Sequence, residues 1–189
     1  MTLLRIYLLA GLLGHKLIWE FLKLSSRQAS EAPRKRSLFL TLVKAAKITI
    51  LLAVIIQTFL PDIWPIADDA TLIRAAGVAL FTSGLLMAVL SRIQLGKNWS
   101  DIESGQVLHE QVVVSKGVYR YVRHPIYVGD LLLLIGLELS LNSWLVLAAV
   151  LLAPVVLWKA IQEEKLLINE LPGYGLYCTQ TKRFIPFIV

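Results

Sequence analysis

Gly117-Val-Tyr-Arg-Tyr-Val-Arg-His-Pro-Ile-Tyr-Val-Gly129 runs almost directly into Leu131-Leu-Leu-Leu-Ile-Gly-Leu-Glu-Leu139. The polar, aromatic half gives way at Pro125 to a half that only lipid or a packed interior accommodates. Proline fits the first turn of a helix, where its missing N–H is no loss. Arg123 and His124 therefore stand at the doorstep of a membrane helix, with their polar heads at the interface. A basic pair at such an edge is ordinarily an anchor. Tyr119, Tyr121 and Tyr127, set between two glycines, point instead to a built pocket.

Outward from this stretch, the chain is predominantly apolar. Of its 189 residues 57% are hydrophobic, and its mean hydropathy is +0.68. These values indicate an integral membrane protein, and the length suits a single membrane domain over 1–189. Within it, 1–70 hold the first two spans and their loops; 71–189 hold the rest. The net charge of +6 follows from basic loops on the cytoplasmic side and does not imply a nucleic-acid partner. One cysteine, Cys178, excludes an internal disulfide and a Cys-x-x-Cys metal site. His15, His109 and His124 are too dispersed for a protein-built zinc site, so no metal is expected. The first apolar run lacks a small-residue cleavage site and reads as a retained span.

Five spans are predicted: 2–22, 38–60, 71–95, 126–141 and 144–161. The basic loop 23–37 places the amino terminus outside and the carboxyl terminus inside. Lys44 and Lys47 reach the inner interface; Pro61, Asp62, Pro65, Asp68 and Asp69 form an acidic outer loop. Arg74 and Arg92 sit near the ends of the third span, and Gly77, Ser83 and Gly84 would let a neighbour approach closely. Residues 96–124 are too charged to span; within them, Val112-Val-Val114 reads as an extended piece against an apolar surface. The tail 169–189, broken by Pro172, Gly173 and Gly175, is amphipathic and can roof the polar residues.

The last two spans are separated only by Leu141-Asn142-Ser143, which makes a helix hairpin. Its 16-residue first arm rises roughly 24 Å, and the second arm, kinked at Pro154, comes back about as far. Lys159, Glu163 and Glu164 thus return to the membrane face that carries Arg123 and His124. The resulting constellation is Tyr119, Arg123, His124, Tyr127, Asp130, Lys159, Glu163 and Glu164. Ionisable groups at membrane depth are buried against partners or functional. Such a site can bind a charged small molecule on its polar side and admit a lipophilic one sideways between helices. No phosphate loop, catalytic triad or metal cluster accompanies it. Group transfer to a lipid acceptor fits better than hydrolysis.

Arg123-His-Pro-Ile-Tyr-Val-Gly129, preceded by Gly117-Val-Tyr119, resembles the Arg-His-Pro-x-Tyr-x-Gly motif of the isoprenylcysteine carboxyl methyltransferase family. Glu163-Glu164 with Leu166-Leu167, the ending Tyr174-x-x-Tyr177 and Arg183-Phe-Ile-Pro186, and Gly96-x-Asn98-Trp-Ser100 extend the likeness over roughly 90–189. The resemblance implies an all-α membrane methyltransferase, in the inner or plasma membrane, using S-adenosylmethionine in a cytoplasmic pocket. By motif position the cofactor would be bound by Gln111, Val112, Val113, Val114, Tyr119, His124, Pro125, Ile126, Tyr127 and Glu163. Arg123, Lys159 and Asp130 are the candidates for acting on the acceptor, a lipophilic small molecule or prenylated chain; membrane lipid is the other expected partner.

Departures from the family pattern bear on the acceptor. Lys159 stands where eukaryotic members carry an arginine, keeping the charge but losing the bidentate fork. Gln111 replaces a histidine. Asp130 is an unusual carboxylate, either an interfacial residue paired with a cation or one facing the acceptor, where it would favour an amine. Carboxyl O-methylation of an isoprenylcysteine is the leading expectation. Phospholipid amine N-methylation is the first alternative, and a nicotinamide-dependent sterol-type reductase the second.

Overall fold

The structure is a computed structural model that describes residues 2–26, 38–99 and 111–185. Most of the basic loop 23–37, His109, Ser100, the side chains of Lys44 and Lys47 and the last four residues lie outside the described residues. The described chain folds as helices α1 (Thr2–Ser26), α2 (Leu38–Phe59), α3 (Thr71–Leu95), α4 (Pro125–Ser140), α5 (Val146–Leu151), α6 (Ala153–Glu170) and α7 (Tyr174–Gln180). Short 3-10 turns occupy Gly96–Asn98 and Gly117–Arg120.

Three stretches are long and apolar enough to cross a membrane: Thr2–Leu24, Thr71–Asn98 and Val146–Glu170. The 25 residues of α3 rise about 37 Å, enough for a hydrocarbon core of about 30 Å. The 16-residue α4 and the apolar part of α2, Ile48–Phe59, are shorter than this measure. The second arm of the hairpin differs from its expected extent. It runs nine residues past 161, because Glu163 and Glu164 find partners and need not end the helix. The arm is interrupted at Leu152 between α5 and α6, and Pro154 lies in the first turn of α6, where no helical N–H is needed.

The core is the seam between α3 and α4. A Cβ on Gly84 would run into the backbone of Leu133 and Gly129, and one on Gly136 into the backbone of Phe81. A Cβ on Gly77 would strike the backbone of Ser140, and one on Gly129 would lie 2.5 Å from the Ala88 nitrogen. Two glycines seven apart on each helix thus let the two backbones touch. Ser83 is not part of the seam. It is exposed, and its hydroxyl donates to the Ala79 carbonyl at 2.7 Å. Leu8 and Leu12 of α1 pack on Phe81, Leu133 and Leu137 beside it.

One end of the bundle is fixed by polar side chains. Asp62 meets Arg5 at 3.2 Å and Arg74 at 2.5 Å. Asn142, at a positive φ of 54° that asparagine tolerates better than most residues, is 1% exposed. Its Oδ1 accepts from the Ile66 and Ala67 amides and its Nδ2 donates to the Ala67 carbonyl. Buried Glu138 accepts from Gln57 at 2.8 Å. These contacts gather the starts of α1 and α3 with the ends of α2 and α4. The opposite end of the bundle, where α4 begins, is free to carry a site.

Candidate functional site

That end is organised by Glu164, a carboxylate with only 5% of its surface exposed. Its Oε1 accepts from Arg123 Nε at 2.7 Å and lies 3.1 Å from His124 Nε2. Its Oε2 accepts from Arg183 at 3.0 and 2.6 Å. Arg123 also donates to the carbonyls of Cys178 and Thr181. The tail is pinned again through the backbone: Arg123 N donates to Lys182 O at 2.8 Å and His124 N to Arg183 O at 3.1 Å. Phe184 rests against the His124 ring, with centroids 5.8 Å apart. The tail therefore roofs the polar cluster, as its composition suggested.

Glu163 faces elsewhere. Consecutive helical residues point about 100° apart, so Glu164 enters the scaffold while Glu163 lines a cavity. Tyr127 donates to Glu163 Oε2 at 3.1 Å, and His124 Nδ1 lies 3.6 Å from the same oxygen. The His124 and Tyr127 rings stack at 5.4 Å. Hairpin return thus brings His124 and Tyr127 to Glu163, and Arg123 to Glu164.

Of the residues predicted for a cofactor, Gln111, Val112, Val113, Val114 and Tyr119 line this cavity, as do His124, Ile126, Tyr127 and Glu163. Pro125 does not; it is buried as the first residue of α4. Arg123 also lines the cavity, although its Nε is engaged by Glu164 and its Nη1 by the tail carbonyls of Cys178 and Thr181. Lys159 and Asp130 do not line it. Lys159 lies one turn before Glu163 on α6, and Asp130 turns toward α1, where its Oδ1 is 3.1 Å from His15 Nε2.

The remaining walls come from residues that sequence reasoning did not select: Leu95, Asn98 and Trp99 on one side, Leu167, Leu171, Tyr174 and Tyr177 on the other. Asn98, Trp99, Tyr174 and Tyr177 stood within the resembling motifs and were the available signal. Asn98 accepts from the Val112 amide at 2.8 Å, holding the valine segment across the cavity. Val113 packs on Leu167, Leu171, Tyr174 and Tyr177, the apolar surface expected for that segment. Gln94 accepts from the Val118 amide at 2.9 Å. Gly117 is required beside it, with φ at 61° and its missing Cβ facing the Gln94 side chain. Tyr177 donates to the Tyr119 carbonyl at 2.7 Å. Burial raises the phenols of Tyr119 and Tyr174 well above the ordinary tyrosine range and pushes Tyr177 up to about 12. All three stay neutral hydrogen-bonding walls at physiological pH. The Cys178 thiol is likewise raised, chiefly by burial. Among the described residues no group of His, Cys, Asp or Glu is placed to hold a metal ion.

The site is thus a partly open pocket whose wall combines one carboxylate, one imidazole and several phenols with aliphatic side chains. A protein-S-isoprenylcysteine O-methyltransferase of Schizosaccharomyces pombe is 28% identical over 86 residues, 46% of this chain and 35% of that protein. The protein of the same name from Rattus norvegicus is 28% identical over 78 residues, 41% and 28% of the two chains. The cobalt-zinc-cadmium resistance protein CzcN of Cupriavidus metallidurans is 31% identical over 110 residues, 57% and 49%. The chain spans half or less of the length of these relatives. In fold it is similar to the eukaryotic intramembrane Ras methyltransferase ICMT, with a TM-score of 0.56 at 23% identity, over 82% of this chain and 55% of that one. The resemblance to isoprenylcysteine carboxyl methyltransferases therefore holds in sequence and in fold. The family model described as phospholipid methyltransferase matches residues 72–172, from α3 through the hairpin to the end of α6, and the chain belongs to that family.

Proposed function

We propose that this chain is an S-adenosylmethionine-dependent methyltransferase whose acceptor is lipophilic, most simply the carboxyl group of an isoprenylcysteine or a similar acid. The observation that carries the reading is the convergence of His124, Tyr127 and Glu163 on a cavity otherwise walled by valines, leucines and neutral tyrosines.

The donor set fits the cofactor. Among the described residues, Tyr127 and His124 both meet Glu163 at Oε2, and Oε1 is assigned to a ligand's ammonium. His124 and Tyr127 would bind its carboxylate or ribose, while Val112, Val113 and Val114 offer backbone groups and an apolar wall to adenine. The bound cofactor supplies an already activated methyl group. The protein's work is then to orient the acceptor and exclude water, which demands little acid–base chemistry. The roof of Tyr174, Tyr177 and Phe184 serves the exclusion. Lys159, on the α6 face one turn from Glu163, and Asp130 are assigned to the acceptor side, and the pocket faces the cytoplasm.

A second reading, N-methylation of a phospholipid amine, is favoured by the description of the matching family. One experiment separates the two. Purified protein is given methyl-labelled S-adenosylmethionine with a farnesylated cysteine acid, phosphatidylethanolamine or total lipid extract. Organic-phase label released as methanol by mild alkali supports carboxyl methylation; alkali-stable label supports the amine. Absence of both label and cofactor binding overturns the methyltransferase reading.

A further inference from the structure

Buried polar atoms without a hydrogen bond are not scattered through the described residues. Those on side chains belong to His15, Ser91, Arg92 and Asp130. They collect beside the cavity, where α1, the end of α3 and the start of α4 meet. His15 and Asp130 approach to 3.1 Å without hydrogen-bonding geometry. The His15 ring lies 4.5 Å from Trp19, whose ring is 6.0 Å from the Arg92 guanidinium.

Arg92 is the exceptional member. It is 0% exposed. Its Nη1 donates to the Gly96 carbonyl at 2.9 Å, but Nε and Nη2 donate to nothing among the described residues. A guanidinium stays charged at any accessible pH, and an enclosed cation with unused N–H groups is costly to keep. Its charge also reaches the cavity. The Trp99 ring that lines the cavity lies 4.6 Å from the guanidinium carbon. Tyr119, on the cavity wall, feels Arg92 as a charge that works against the burial-driven rise of its own pKa. Lys159, the other cation on the acceptor side, is absent from the wall.

We propose that Arg92, stacked on Trp99, binds the anionic head group of the lipophilic acceptor, a carboxylate or a phosphodiester, through Nε and Nη2. The planar fork of arginine matches both groups. Because Arg92 is enclosed, the head group reaches it by displacing the Trp99 ring. This inference rests on the methyltransferase reading and adds to it a residue that selects the acceptor.

The test compares binding to the full chain, without methyl transfer, for two pairs of probes. One is S-farnesylcysteine as its N-acetyl acid against the corresponding alcohol. The other is short-chain phosphatidylethanolamine against the matching diacylglycerol. S-Adenosylmethionine binding is titrated separately. A charge-assisted hydrogen bond contributes a preference of about 10- to 100-fold. The wild type should show it for one pair, which identifies carboxylate or phosphodiester. Arg92→Gln should bring that ratio near one while the uncharged probe and the cofactor bind as before; Arg92→Lys should restore part of it. Trp99→Leu, tested alongside in case Arg92→Gln does not fold, removes the ring that must be displaced and should strengthen the anionic probe relative to the uncharged one; an unchanged ratio overturns the inference. A wild-type ratio near one for both pairs, or an Arg92→Gln protein that keeps the ratio, overturns the inference while leaving cofactor binding intact. Loss of cofactor binding in the wild type instead overturns the functional reading and the inference with it.

Discussion

Replacing Glu164 by glutamine keeps its shape and removes one charge from a buried cluster. Arg123, His124 and Arg183 all converge on this carboxylate, and the Arg123 and Glu164 side chains are only 9% and 6% exposed. Breaking a buried pair from one side costs about 3–5 kcal/mol, because the partner's charge stays buried. Arg123 retains the Cys178 and Thr181 carbonyls, which favours the lower end of that range. For a chain of this length about 3 kcal/mol corresponds to a fall in Tm on the order of 10 °C. Glu164 joins the tail to α4 and α6, so the loss should show locally as well as globally. Thermal unfolding in detergent and limited proteolysis after Arg183 should both respond to Glu164→Gln, with cleavage of the tail preceding global unfolding. An unchanged Tm with a tail still protected would refute the assignment of Glu164 as the tie between roof and bundle.

Glu163→Gln should behave oppositely, with Tm within a few degrees of wild type but S-adenosylmethionine affinity reduced by about tenfold or more, measured by titration calorimetry. Gly136→Ala places a methyl group against the Phe81 backbone and should cost at least the upper end of the roughly 1–3 kcal/mol of overpacking; Gly14→Ala, with nothing within 4 Å of its Cβ, is the neutral control in the same unfolding assay. Tyr177 has its folded pKa raised to about 12 from 10, so it adds no pH dependence below pH 10. Between pH 10 and 12 the unfolded chain loses the phenolic proton first and stability falls; Tyr177→Phe should flatten that part of a Tm-against-pH curve.

The hairpin, and with it the meeting of Arg123 and His124 with Glu163 and Glu164, was readable because apolar length and a short turn alone determine where the second arm returns. What distinguishes Glu163 from Glu164 was not, since it depends on the rotational phase of α6 against α4. The same phase decides Asp130, which turns to His15 on α1, a helix whose packing no local pattern specifies. Arg92 reads from the sequence only as a residue near the end of the third span. The turn at Gly96–Asn98 brings Trp99 back over it and encloses it, a loop-level event without a periodic signal. Gly77 and Gly84 were recognisable as close-packing positions, whereas their counterparts Gly129 and Gly136 gain meaning only once α3 and α4 are paired.

Where α3 and α4 touch backbone to backbone, no string of methylenes passes between them. The glycine seam is a bulkhead. On the proposed function, a prenyl or acyl chain arriving from the bilayer would dock along another flank of α4, and its length would be measured against whichever helix borders that flank. Acceptor chain-length preference should then be insensitive to side-chain changes on the outer face of α3, such as those at exposed Leu86 and Leu90.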